Sequence, residues 1–536
     1  MTQQASRAAG ETLSAVLAHP DPARPALVAG EDGEVLSYGQ LADRVEYVAG
    51  CLAAAGVRRG DRVAFTLPNG PDVVQILLAI TAVGAAAAPL NPAYTESEYA
   101  FYLTDIAPRL LLMPDSRPAA AVAAARDCSV TVLTTRAGVG EPPVFFVEGK
   151  ELVPVTGFEP GQPDDAGVVL HTSGTTSRPK QVPLAQRNLM ASTRTIATHY
   201  ALGPSDVSFC VMPLFHVHGL VASTFAALAG GGSVIVPRRF TPRGFWPHAR
   251  EHGATWLSAG PTLHQMILDR ADEAGPPATL RFARSCSSAL SPALMERSER
   301  GYGVPMLEAY GMTEASHQMA SNPLPPGARI PGSVGVPTGT EIAIADPAGR
   351  LLPEGSAGEV VIRGPGVMAG YANNPAATAE AFFGDRFRTG DRGVLRDGYL
   401  YLEGRLKQMI LRGGENISPG EVEQALLSHP AVRDAVCFGV ADERYGELVS
   451  AAVTLTAQAA GDVRPRDLTE HCRERLAAFK VPVAIHVLDE IPRTATGKIQ
   501  RRRVAEFVAG GPDEVHGPGR PDGPGGPDGG GGRGAS

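Results

Sequence analysis

The stretch that decides the fold is residues 170–183, Leu-His-Thr-Ser-Gly-Thr-Thr-Ser-Arg-Pro-Lys-Gln-Val-Pro. The hydroxyls of Thr172, Ser173, Thr175 and Thr176 crowd around Gly174, and Lys180 adds a positive charge. Hydroxyl donors, backbone amides that a glycine leaves unshielded and a nearby cation make a loop suited to a polyphosphate. The apolar run Gly167-Val168-Val169-Leu170 reads as a short buried strand, so the loop should emerge from a sheet edge. This is not a Walker A loop, because Pro179 replaces the second glycine of that pattern and Gln181 its final hydroxyl. The competing reading is a polar surface turn, the usual fate of Ser/Thr/Gly segments.

Outward from the loop, apolar strands such as Val63–Leu67 and Ser233–Val236 alternate with helical stretches such as Gln40–Ala55. That alternation predicts an α/β fold: a large N-terminal domain, residues 1–405, of layered α/β subdomains with mostly parallel sheets. From Leu406 the character changes. A glycine-bearing loop leads to Ser418-Pro419, a serine cap and a proline first turn, and then to a helix over 420–428. Short strands at 436–440, 448–455 and 484–488 surround a second helix at 466–479, giving a small α+β domain over 406–509. The tail, 510–536, is Gly, Pro and Asp with hardly an apolar residue, a composition that predicts disorder.

Of the 536 residues, 43% are hydrophobic and 19% charged, enough for more than one core. With 48 basic and 56 acidic side chains the net charge is -8, which points to neither nucleic acid nor an acidic membrane surface. The six cysteines, at 51, 128, 210, 286, 437 and 472, show no metal-like spacing and read as reduced, buried thiols. No basic-then-apolar segment opens the chain, so a cytoplasmic location is expected. Val73 to Leu90 is nearly long enough to span a bilayer, but Gln75, Thr81 and Pro89 interrupt it. A buried helix at 73–83 followed by a strand at 85–90 fits better.

Further motifs follow in order: Tyr310-Gly-Met-Thr-Glu314, Arg388-Thr-Gly-Asp391, Gly404-Arg-Leu-Lys407, Arg412-Gly-Gly-Glu-Asn-Ile417 and Thr496-Gly-Lys498. Together with the loop they resemble the adenylate-forming superfamily of acyl-CoA synthetases, peptide-synthetase adenylation domains and beetle luciferases. Ser177 and Gln181 stand where the superfamily loop has glycines, and neutral Gln408 follows the hinge position. The resemblance implies a nucleotide site built from Thr172, Ser173, Gly174, Thr175, Thr176, Lys180, Glu308, Ala309, Tyr310, Gly311, Met312, Thr313, Asp391 and Arg405. Within it Tyr310 would face adenine, and Asp391 and Arg405 the ribose. Lys498, Thr313 and Glu314 are the implied catalytic groups. Lys498 would bridge carboxylate and α-phosphate, Thr313 would donate to that phosphate, and Glu314 would ligate Mg2+. Lys407 would be the hinge about which the small domain swings, bringing Gly413 and Gly414 to CoA. The implied reaction is acid plus ATP giving acyl-AMP and pyrophosphate, then thiol attack giving acyl-CoA and AMP. Carrier-protein loading in trans shares every motif except those for CoA. The sequence carries no reading of oligomeric state.

The acid is read from three positions that fall where the superfamily lines its acyl pocket: His216, Ser287 and His317. A fatty acid would want Leu, Phe and Gly there, whereas histidines and a serine suit a small acid with a polar or charged far end. The phrases around 171–180, 212–220 and 476–482 are similar to the oxalyl-CoA synthetase branch of plants and yeast. On that likeness the three residues would hold oxalate, and His218 reads as a satisfied core histidine. Medium-chain fatty acids and aryl acids such as 4-coumarate are the alternatives.

Overall fold

The structure, a computed structural model, describes residues 11–510 apart from 31–32, 139–140, 173–178, 271–273, 414, 457–458, 460–462 and 495–497. The phosphate loop Ser173–Thr176 together with Ser177, the second glycine Gly414, Thr496-Gly497 and the tail beyond 510 therefore lie outside the described residues.

Two large sheets organise residues 25–337. One has nine strands and the other eight. In each, the central strands are parallel and the edges antiparallel. Trp256–Ala259, Phe282–Ser285 and Met306–Met312 lie parallel in the first, and Ala86–Pro89, Arg62–Phe65 and Leu110–Pro114 in the second. Strands buried on both faces read as continuous apolar runs, which is how they were legible. Between the sheets run the helices Tyr38–Ala54, Pro71–Ala82 and Gln186–His199, whose side chains join both layers in one core.

The helix Pro71–Ala82 explains the span-like segment. Val74, Ile76, Leu77, Leu78 and Ile80 are fully buried in it, each worth about 2 kcal/mol. It has twelve residues, or about 18 Å, and the strand Ala86–Pro89 follows as expected. Among the described residues no helix is long and apolar enough to cross a membrane.

A third sheet, five-stranded and antiparallel throughout, follows at Glu341–Ala345, Ala357–Arg363, Phe382–Phe383, Arg386–Arg396 and Tyr399–Arg405. The strand–helix alternation does not announce it, because its strands pair antiparallel and only one short helix, Pro375–Glu380, interrupts them. After a single turn at Leu406–Gln408 the chain forms a fourth sheet around Val432–Asp442 and Gly446–Leu455, with its own core. Ser418 caps the helix Pro419–Leu427 by accepting from the Glu421 amide, and its hydroxyl also donates to the Glu403 carbonyl. The helix expected at 466–479 is shorter. It runs Pro465–Arg473 and then breaks into a turn at Ala478–Lys480, where Lys480 pairs with Glu421 at 2.7 Å while Leu476 packs on the core. Tertiary packing overrides the helical pattern there. Of the six cysteines all are unpaired, but Cys128 is only half-buried.

Candidate active site

The strand Met306–Met312 carries the motif residues to the sheet edge and passes into a turn at Thr313–Ala315. Gly311 is required by packing: a Cβ there would lie 2.2 Å from the His317 carbonyl oxygen on the neighbouring antiparallel strand. Ala309 and Tyr310 are buried, and Gly311, Met312 and Thr313 are half-exposed at the mouth. The Tyr310 hydroxyl donates to Asp391 Oδ2, and Asp391 Oδ1 pairs with Arg405 Nε at 3.1 Å. Asp391 and Arg405 face each other across adjacent antiparallel strands, so register alone brings them together. Burial pushes the Asp391 carboxyl above its usual range against the pull of Arg405.

Glu308 differs from its neighbours. Its buried carboxyl accepts from the Leu290 amide at 2.9 Å, steadying the segment after Ser287, and burial raises its pKa to about 8. Glu314 is also buried and pushed up by desolvation, with Tyr371 donating to Oε1 at 3.1 Å. Lys180, paired in register with Thr172, sits over the Tyr371 ring at 4.5 Å. Gln181, where the superfamily has glycine, is turned inward and donates to the Asp105 carbonyl and carboxylate at 3.1 and 3.2 Å. Asp105 also meets His171 Nε2 at 2.7 Å. The departure is thus absorbed by a local polar cluster at the base of the loop.

Lys498 enters this site from the segment between the last strand, Ala484–Val487, and the last helix, Arg501–Gly510. Burial, and then Arg405, lower its pKa, while Cys286, Asp391 and Glu314 oppose them. A buried Glu314 carboxylate that meets the Tyr371 hydroxyl and a backbone amide, with Arg405 and Lys180 nearby, is a fitting donor for a hard ion. Gly413, by contrast, has a left-handed backbone (φ 58°), is exposed, and donates to the Tyr445 carbonyl at 2.8 Å inside the small domain. In this arrangement Lys498, rather than the Gly413 loop, meets the nucleotide residues. Lys407 is exposed in the turn between the sheets.

The residues expected to meet the acid lie behind the Gly311–His317 crossing. His216 is pushed down to about 3 by burial and then by Lys498, so its imidazole is neutral. His317 is held well below its ordinary value by burial and Arg284. Ser287 and His317 both carry left-handed backbones, φ 77° and 106°, a strained conformation for residues with a Cβ that gathers at functional sites. His218 opens a π-helical turn, His218–Phe225, and is satisfied as expected, but by pocket groups. Its Nδ1 lies 2.9 Å from Ser287 Oγ and its Nε2 2.7 Å from Ser258 Oγ. The sequence motifs do not single out Arg284. Arg284 is fully buried, and its guanidinium meets Tyr200 Oη, Ser258 Oγ and Gln318 Oε1 at 2.9, 2.7 and 3.0 Å. No carboxylate neutralises it among the described residues. An arginine in a short strand that is buried throughout, Phe282–Ser285, was the signal available.

Two layered sheets, a buried cluster of Tyr310, Asp391 and Glu314 beside Arg405, and a lysine brought to that cluster from the C-terminal part are the parts an enzyme needs to activate an acid with a nucleotide. The profile of AMP-binding enzymes matches residues 16–372 and that of the AMP-binding enzyme C-terminal domain residues 421–498. The chain belongs to the AMP-binding enzyme family, and it is an AMP-forming acid–thiol ligase. It is 46% identical over 517 residues to the oxalate–CoA ligase of Arabidopsis thaliana, covering 94% of this chain and 99% of that protein. It is 42% identical over 482 residues to the oxalate–CoA ligase of Saccharomyces cerevisiae, covering 84% and 88%. Its fold is similar to that of ATP-bound MatB from Rhodopseudomonas palustris, with TM-score 0.84, 29% identity and coverage of 92% and 98%.

Proposed function

We propose that this ligase activates oxalate: oxalate plus ATP gives oxalyl-AMP and pyrophosphate, and oxalyl-AMP plus CoA gives oxalyl-CoA and AMP. The observation that carries the reading is Arg284, a fully buried cation with no carboxylate partner among the described residues, set behind the neutral histidines of the acid pocket. A buried charge is expensive unless an opposite charge arrives, and a dianionic acid brings one more charge than the adenylation reaction consumes. Both oxalate–CoA ligases aligned above support the same acid.

In this reading His216, Ser287 and His317 hold the far carboxylate, leaving the near one exposed to the α-phosphate. Lys498 stands between the two anions and stabilises the charge that gathers as the acid oxygen attacks and pyrophosphate leaves. Its lowered pKa follows from that desolvated setting. Thr172, Ser173, Gly174, Thr175, Thr176, Lys180 and Thr313 take the phosphates, Tyr310 the adenine, and Asp391 with Arg405 the ribose hydroxyls. Glu314 would hold Mg2+, which supplies charge neutralisation for the triphosphate. The division at residue 405, a swing about Lys407 and approach of CoA over Gly413 and Gly414 complete the proposal. A reducing cytoplasmic compartment suits six unpaired cysteines.

The test is AMP release from ATP and magnesium, with and without CoA, across oxalate, malonate, acetate, octanoate and 4-coumarate. A CoA-dependent signal confined to oxalate is expected. Preference for octanoate or 4-coumarate rejects the acid pocket as read, and release that ignores CoA rejects the thiol acceptor.

A further inference from the structure

A guanidinium donates hydrogen bonds and accepts none. It therefore fixes the direction of every bond chained behind it. Arg284 Nη1 donates to Ser258 Oγ at 2.7 Å. Ser258 has one proton, and its other close partner is His218 Nε2 at 2.7 Å, so that proton goes to the imidazole. Arg284 Nη1 faces the same Nε2 at 3.3 Å, again only as a donor. His218 Nε2 is thus the acceptor nitrogen, and the ring proton sits on Nδ1, from which it is given to Ser287 Oγ at 2.9 Å. The Ser287 hydroxyl accepts a hydrogen bond from behind and keeps its own proton free to donate.

A second branch leaves the same arginine. Nη2 faces His317 Nδ1 at 3.4 Å, which makes that nitrogen an acceptor and puts the His317 proton on Nε2. His216 is fixed alike by a different donor, since the His218 amide meets His216 Nδ1 at 3.2 Å. His218 and His317 are buried, His216 is half-buried, and all three are held below their ordinary pKa, so each carries a single proton to assign. The remaining guanidinium hydrogens go to neutral acceptors, Tyr200 Oη and Gln318 Oε1, and the positive charge stays unspent.

We propose that Arg284 is a positioning residue that works through Ser258 and His218, and separately through His317, to present the pocket as an array of hydrogen-bond donors to a carboxylate. A carboxylate only accepts, so donor polarity, and not histidine content alone, selects an acid with a charged far end. The inference rests on the acid pocket assigned above. It places Ser258, a residue with no part in the sequence motifs, in the line of specificity.

The direct test is the tautomer of each ring, read from two-bond 1H–15N spectra of the full chain labelled at histidine, with His218→Asn and His317→Asn assigning the peaks. Protonated Nδ1 for His218 and protonated Nε2 for His317 are expected. Either ring in the other tautomer, or as imidazolium at neutral pH, overturns the relay. In kinetics, Arg284→Met should raise KM for oxalate about tenfold or more with KM for ATP unchanged, and Arg284→Lys, also a pure donor, should restore most of it. An oxalate KM within twofold of the parent, or an equal rise for ATP, overturns it. In a Ser287→Ala background the Arg284→Met penalty should shrink, and an undiminished penalty contradicts action through Ser287. Should Arg284→Met fail to fold, the parent spectra still decide. Failure of the oxalate reading is separate: a parent enzyme inactive on oxalate rejects the acid, while its tautomers remain measurable.

Discussion

At the scale of the residue, burial does most of the chemistry. Glu308 shows it plainly, with a carboxyl pushed up to about 8 by desolvation and held to one backbone amide. In the unfolded chain it titrates near its ordinary value, so the stability gained from the protonated form is fully present below that value. It is lost as pH rises through the folded pKa. Glu308→Gln keeps an acceptor for the Leu290 amide and removes the titration. The variant should match the parent near pH 5 and exceed it by about 2 kcal/mol at pH 7, as checked by urea unfolding at both values. A constant difference between the two would contradict the assignment. Charge identity was legible here, since Lys498, Glu314, Asp391 and Arg405 stand in recognisable order. Surroundings were not: nothing in the letters says that Glu308 turns to Leu290, or that Arg284 has no carboxylate partner among the described residues.

At the scale of the element, register carries the site. Asp391 meets Arg405, and Lys180 meets Thr172, because neighbouring antiparallel strands hold them opposite one another. The crossing of Met306–Met312 with His317–Ser321 is tighter, and Gly311 is the residue that permits it. Gly311→Ala would place a carbon 2.2 Å from the His317 carbonyl oxygen, against backbone that cannot rotate away. A loss of about 2–3 kcal/mol with oxalate turnover falling more than ATP binding is expected from thermal unfolding and nucleotide titration. A variant of parental stability would mean the strands part freely. Helices were the easier reading, as with Ser418 before Pro419, where cap and first turn are local signals. The antiparallel third sheet and the break after Arg473 depend on contacts distant in sequence, so local pattern could not show them.

At the scale of the whole molecule, the question is what keeps Lys498 in the site. Arg493, five residues before it, donates to Thr262 of the large domain at 2.8 Å and pairs with Asp434 of the small one at 2.6 Å. Arg493→Ala should slow oxalate-dependent pyrophosphate exchange about tenfold and leave transfer from supplied oxalyl-AMP to CoA near parental. Equal loss in both steps would place Arg493 in folding rather than in domain arrangement. The two-part organisation was visible from the change in composition after Leu406, but which loop of the small part faces the nucleotide was not, because that depends on contacts between the parts. The central claim is that the acid is activated as an adenylate in this site, and isotope transfer tests it most directly. With oxalate labelled in its carboxylate oxygens with 18O, plus ATP, magnesium and CoA, mass spectrometry of the products should find one labelled oxygen in the phosphate of AMP. Unlabelled AMP, or label in inorganic phosphate, would contradict the account.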